Sequence, residues 1–91
     1  MLLAGKLGRR DVLNEAKADF QARNPERKIV KMYLGEGDEA HAYVHVRFVH
    51  TPATVFPRRP AIFEIELGYR RDGNEWTLFH EAGSRLIGPA Y

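Results

Sequence analysis

From Ala40 to His50 the chain alternates almost without a break: Ala42, Val44, Val46 and Phe48 fall on one side, His41, Tyr43, His45 and Arg47 on the other. A period of two over so long a run predicts a half-buried β-strand, because successive side chains leave a pleated backbone on opposite faces. Three further stretches read the same way. Lys28 to Leu34 sets Val30, Met32 and Leu34 against Ile29, Lys31 and Tyr33. Ala61 to Arg70 sets Ala61, Phe63, Ile65, Leu67 and Tyr69 against Ile62, Glu64, Glu66 and Gly68, and Glu75 to Ala82 completes the set. Before them, Val12, Leu13, Ala16 and Phe20 recur at helical spacing, which predicts a helix from Asp11 to Arg23. Asp11 is its expected N-cap, and Asn24-Pro25 its stop, since a residue before proline is pushed out of the α region.

The connections set registers. Asp72-Gly73 is a strong hairpin signal, and a two-residue turn there places Tyr69 opposite Trp76, Leu67 opposite Leu78 and Ile65 opposite His80. Glu66 then meets Phe79, and Glu64 meets Glu81. Thr51 to Pro60 carries three prolines, reads as a stiff protruding loop, and if symmetric brings Arg47 to Glu64 and His45 to Glu66. Gly83 to Tyr91 reads as an irregular tail. The expected fold is α+β: one N-terminal helix on a four-stranded antiparallel meander. The helix covers the face of Val30, Val44, Val46, Phe48, Phe63, Ile65, Leu67 and Leu78. The second face mixes Ile29, Tyr33, Tyr43, Val49, Ile62 and Phe79 with charges, which is the chemistry of a subunit interface.

Ninety-one residues suit one domain spanning 1–91, and 44% hydrophobic with 29% charged residues is a globular composition. The absence of cysteine excludes disulfides and thiolate metal sites and points to the cytoplasm. Met1 to Gly8 is too short and too weakly basic for a secretory signal, and no apolar run reaches the roughly 20 residues of a membrane helix. A net charge of +2 is a weak basis for binding nucleic acid.

Candidate chemistry is sparse. His41 and His45 are four residues apart on a strand, about 13 Å, too far to share an ion, so with His50 they read as surface or interface histidines. Glu64, Glu66 and Glu81 with Arg47 and His45 could form an acid–base cluster, because opposed carboxylates raise one another's pKa. An ion-pair network at a dimer interface accounts better for the same residues. By parity His80 falls on the apolar face, where with Tyr69 and Trp76 it would anchor a small apolar ligand in a pocket between helix and sheet. Arg9-Arg10, Arg58-Arg59 and Arg70-Arg71 sit at three separate turns and read as solvated loop charge.

One helix followed by a four-stranded meander, from Asp11 to Ala82, resembles the α+β roll of the cystatin-like and nuclear-transport-factor-2-like (SnoaL-like) proteins. Tyr69-Arg70-Arg71-Asp72-Gly73-Asn74-Glu75-Trp76-Thr77-Leu78 is similar to the last hairpin of SnoaL-like sequences. The resemblance implies the fold, a small-ligand cavity between helix and sheet, and dimerisation through the sheet. Neither the cystatin Gln-x-Val-x-Gly loop nor an inner-face Asp base has a counterpart here. The expectation is therefore an oligomeric binding or assembly protein rather than an enzyme, with no cofactor; the alternatives are a SnoaL-like small-molecule-binding protein or enzyme using the pocket of His80, Tyr69 and Trp76, and a nucleic-acid binder using Arg58-Arg59 and Arg70-Arg71. Its self-association surface is Tyr33, Tyr43, His45, Arg47, Ile62, Glu64, Glu66 and Phe79.

Overall fold

The computed structural model describes residues 9–53 and 59–90. Helix α1 (Arg9–Arg23) is followed by strands β1 (Lys28–Leu34), β2 (His41–His50), β3 (Ala61–Asp72) and β4 (Glu75–Pro89). All neighbours pair antiparallel in the order β1-β2-β3-β4, so the sheet is a meander with the helix on one face. The expected α+β architecture stands. Half of the proline-rich loop, residues 54–58 and so Arg58, lies outside the described residues, as do the first eight residues and Tyr91.

The alternation of β2 maps directly onto burial. Ala42, Val44, Val46 and Phe48 are at most 1% exposed, and Val12, Ala16 and Phe20 of α1 are buried with them. Phe20 packs on Phe48 with ring centroids 5.0 Å apart, and Tyr69, Leu67 and Trp76 extend this core across β3 and β4. The helix ends as its sequence requires. Asn24 donates to the Phe20 carbonyl through its amide N–H at 2.8 Å and its side chain at 3.1 Å, just ahead of Pro25. Its start differs from expectation, for the helix already includes Arg9. Asp11 thus lies inside the first turn and stabilises it through the helix dipole, not as an N-cap.

Irregularities in pairing correct several expected positions. Ile29 pairs with Phe48 and Lys31 with Arg47, so Val30 is an extra residue. A one-residue bulge reverses the parity of what precedes it. Ile29 therefore packs against the core, and Val30, expected inside, is 45% exposed.

The β3–β4 turn is Gly73-Asn74, not Asp72-Gly73: Asp72 still pairs with Glu75, and Gly73 alone takes a positive φ of 65°. Glycine at the first central position is the pattern of a type II′ hairpin. Moving the turn by one residue moves the register by two. Trp76 and Leu78 keep the core face, but Tyr69 meets Leu78 and Arg71 meets Trp76. A second bulge at Phe79 then brings His80 opposite Gly68, Glu81 opposite Leu67 and Ala82 opposite Glu66. The segment from Gly83, expected to be irregular, continues β4 to Pro89 and pairs Arg85 with Glu64 and Leu86 with Phe63. Three register shifts let the strand follow β3 for its whole length.

At about 3.3 Å per residue β4 is about 50 Å long, which accounts for a long dimension of 54 Å. The helix, at 1.5 Å per residue, spans about 22 Å. It lies mainly over β1 and β2.

Candidate functional site: the outer sheet face

The face turned away from α1 is organised around Glu64. Its carboxylate is 4% exposed although no second layer of the described chain covers this side. Burial on an open face is achieved by its own neighbours. Arg47 Nε donates to Oε1 at 2.7 Å, the Tyr33 hydroxyl to Oε1 at 2.9 Å, and an Arg85 guanidinium nitrogen to Oε2 at 3.0 Å. His45 Nδ1 lies 3.3 Å from Oε2 without the geometry of a hydrogen bond. Burial by itself would push the Glu64 carboxyl up, but the three hydrogen bonds outweigh it and hold the pKa at about 2. An expected carboxylate pair with Glu81 does not form. The Phe79 bulge sends Glu81 to the helix side, where Arg23 donates to it at 2.9 Å. The cluster is thus an anion held by cations, and Glu64 at its centre is ionised near neutrality.

Tyr33, a direct partner of Glu64, also ties its neighbours together. Its ring stacks on His45 at 4.8 Å with 11° between planes, and Lys31 and Arg47 approach its face at 5.5 and 5.7 Å. Toward the other end of β2 the face becomes aromatic. Phe79 meets the edges of His41 and Tyr43 at 5.6 and 6.2 Å, and His80 lies 6.3 Å from Tyr43. Gly68 makes this crowding feasible, since a Cβ there would sit 2.9 Å from the His80 Cβ and 3.1 Å from the Tyr43 ring. At this end Asp38 accepts from the Ala40 and His41 amides at 2.8 Å and lies 3.0 Å from His41 Nδ1. The His41 contact, with the backbone donors, holds its carboxyl below the usual range.

Tyr33, Tyr43, His45, Arg47, Ile62, Glu64, Glu66 and Phe79 all share this outer face, and the expected pairs Arg47–Glu64 and His45–Glu66 are in register. The sequence reading missed Arg85, which lay in the supposed tail, and Lys31 as a partner of Tyr33. No local pattern marks Arg85, because two upstream irregularities decide which face it reaches.

The expected pocket of His80, Tyr69 and Trp76 does not assemble. His80 stands exposed on the outer face, while Tyr69 and Trp76 are buried under the helix. Tyr69 donates its hydroxyl to Asp19 Oδ2 at 2.7 Å; burial, then this carboxylate, push the phenol pKa up. Among the described residues no group of three His, Asp or Glu side chains could hold a metal ion, and no helix is long and apolar enough to cross a membrane. Comparison with protein-family models, with curated proteins and with solved structures finds no match to this chain.

Proposed function

We propose that this protein is a small cytoplasmic binding or assembly module that works as a homodimer, two copies meeting through their outer sheet faces. The observation that carries this reading is Glu64: a carboxylate almost fully buried at the centre of a face that has no covering layer among the described residues. Around it lie the half-buried rings of Tyr33 and Tyr43 and the exposed ring of Phe79. Aromatic residues with arginine at a centre and charges around it are the composition of an interface core.

Charge distribution selects the geometry of the contact. One end of the face gathers Lys28, Lys31, Arg47 and Arg85 around the single Glu64; the other gathers Glu36, Asp38 and Glu66 with Arg70. A twofold axis running across the strands reverses one sheet on the other and brings the basic end of each copy to the acidic end of its partner. An axis along the strands would stack like on like. With strands about 33 Å long and four strands about 4.8 Å apart, the face covers on the order of 600 Å² per copy in projection. That clears the roughly 1,000 Å² total that separates specific interfaces from incidental contacts. The cystatin-like or nuclear-transport-factor-2-like roll is the fold description that goes with this reading, supported by one helix across a four-stranded meander.

Replacing Tyr43 with Glu places a charge beside Phe79 at the acidic end and leaves the core of β2 untouched. In size-exclusion chromatography with light scattering the unmodified protein should run at twice the 10.4 kDa chain mass and Tyr43→Glu as the monomer. A variant that remains as dimeric as the parent would exclude this face as the contact.

A further inference from the structure

We propose that the outer-face homodimer carries a divalent transition ion of the zinc class on its twofold axis, bound by His45 and Glu66 of both copies. The site rests on that dimer, because neither copy completes it alone. Among the described residues of one chain, no three His, Asp or Glu side chains could share an ion. His45 and Glu66 supply two of the four ligands that zinc takes.

Each half of the site is prepared within its own chain. His45 and Glu66 are directly opposed on β2 and β3, which puts their Cβ atoms about 5 Å apart. Both line one concavity of about 480 Å³ with Gly35, Glu36 and Tyr43. The imidazole is oriented for a metal. Its Nδ1 is enclosed and lies 3.3 Å from Oε2 of Glu64, which is ionised near neutrality. A lone pair facing that anion would be repelled, so the proton resides on Nδ1 and the lone pair on Nε2. A carboxylate behind one ring nitrogen is the usual support of a metal-bound histidine. Nε2 lies above Gly35, where a Cβ would sit 2.6 Å from it, and so at the wall of the concavity. Stacking on Tyr33 holds the ring in this pose. Glu66 is half-buried, yet it takes part in no ion pair among the described residues.

The axis decides what the second copy adds. A twofold running across the strands lays each strand over its own counterpart, reversed, so that one row of residues meets itself. Lys31, Arg47 and Arg85 stand on one side of the row formed by Tyr33, His45 and Glu66, and Tyr43 and His80 stand on the other. That row separates the basic end from the acidic end, and pairing the ends between copies puts it on the axis. Two imidazoles and two carboxylates then converge. With neutral imidazoles the two Glu66 carboxylates would face each other across the contact, a repulsion that a divalent cation removes. Two nitrogen and two oxygen donors suit tetrahedral Zn²⁺, whereas Mg²⁺ takes octahedral oxygen sites.

The test is sedimentation velocity on the protein stripped with EDTA, then with zinc chloride or magnesium chloride added, and bound zinc counted by equilibrium dialysis. Zinc should bind as one ion per two chains and lower the dimer dissociation constant at least roughly tenfold, and magnesium should do neither. His45→Gln and Glu66→Gln should each abolish the tightening. His80→Gln removes an exposed histidine of the same face and should keep one zinc per two chains. Circular dichroism checks that each variant is folded. A metal-free dimer that zinc does not tighten, one zinc per chain, or a zinc effect retained by the folded His45→Gln and Glu66→Gln variants would overturn the zinc site and leave the dimer standing. A chain that stays monomeric with and without zinc would overturn both.

Discussion

Glu64 shows what a single residue can impose on this fold. Its pKa falls from an ordinary carboxyl value of 4.5 to about 2 in the folded protein, so the unfolded chain binds its proton more readily. The associated stability is fully present above about pH 4.5 and is lost as pH falls toward 2. With partly exposed cations screened by water, it amounts to about 1–3 kcal/mol. Glu64→Gln should lower the urea unfolding free energy by that amount at pH 7, and the gap to the parent should close between pH 4.5 and 2. A gap that stays constant over this range would mean that the ion cluster does not hold the carboxylate. That Glu64 meets Arg47 was legible in the sequence, because both lie on regular alternations joined by one connection. That Arg85 also meets it was not, since its position depends on the bulge at Phe79, six residues earlier, and on a second shift between Ala82 and Arg85, and the sequence pattern carries no sign of either.

Among the elements, regular alternation proved readable and irregularity did not. The ten residues of β2 alternate in burial as they alternate in polarity, and β1 begins and ends where its pattern does. A bulge changes no composition and inserts no turn residue; it adds one position and reverses parity. Val30 and Phe79 each did so, and the inward assignments of Val30 and His80 failed for the same reason. The extension of β4 past Gly83 was hidden differently: Gly83 and Gly88 read as breakers, yet a partner strand as long as β3 supplies the ladder. The β1 bulge is directly testable by a pair of substitutions. Ile29→Asp buries a charge against Phe48 and should cost more than about 2 kcal/mol, whereas Val30→Asp should stay within about 0.5 kcal/mol. Equal costs in thermal or urea unfolding would place both residues on one face and remove the bulge.

For the whole molecule, the governing fact is mismatch. A helix of about 22 Å lies on one face of a sheet whose longest strand runs about 50 Å. The radius of gyration, 14.7 Å, exceeds the about 12 Å of a compact domain of this length. Among the described residues nothing forms a second layer on the other face, and a second copy is the simplest source of one. The mixed apolar and charged composition of the outer face was legible in the sequence; the separation of its acidic and basic ends emerged only once the strands were in register. Sedimentation velocity on the unmodified protein at tens of micromolar is the most direct test. The outer-face contact predicts a species of twice the 10.4 kDa chain mass that dissociates on dilution, and a sole 10.4 kDa species throughout would contradict it.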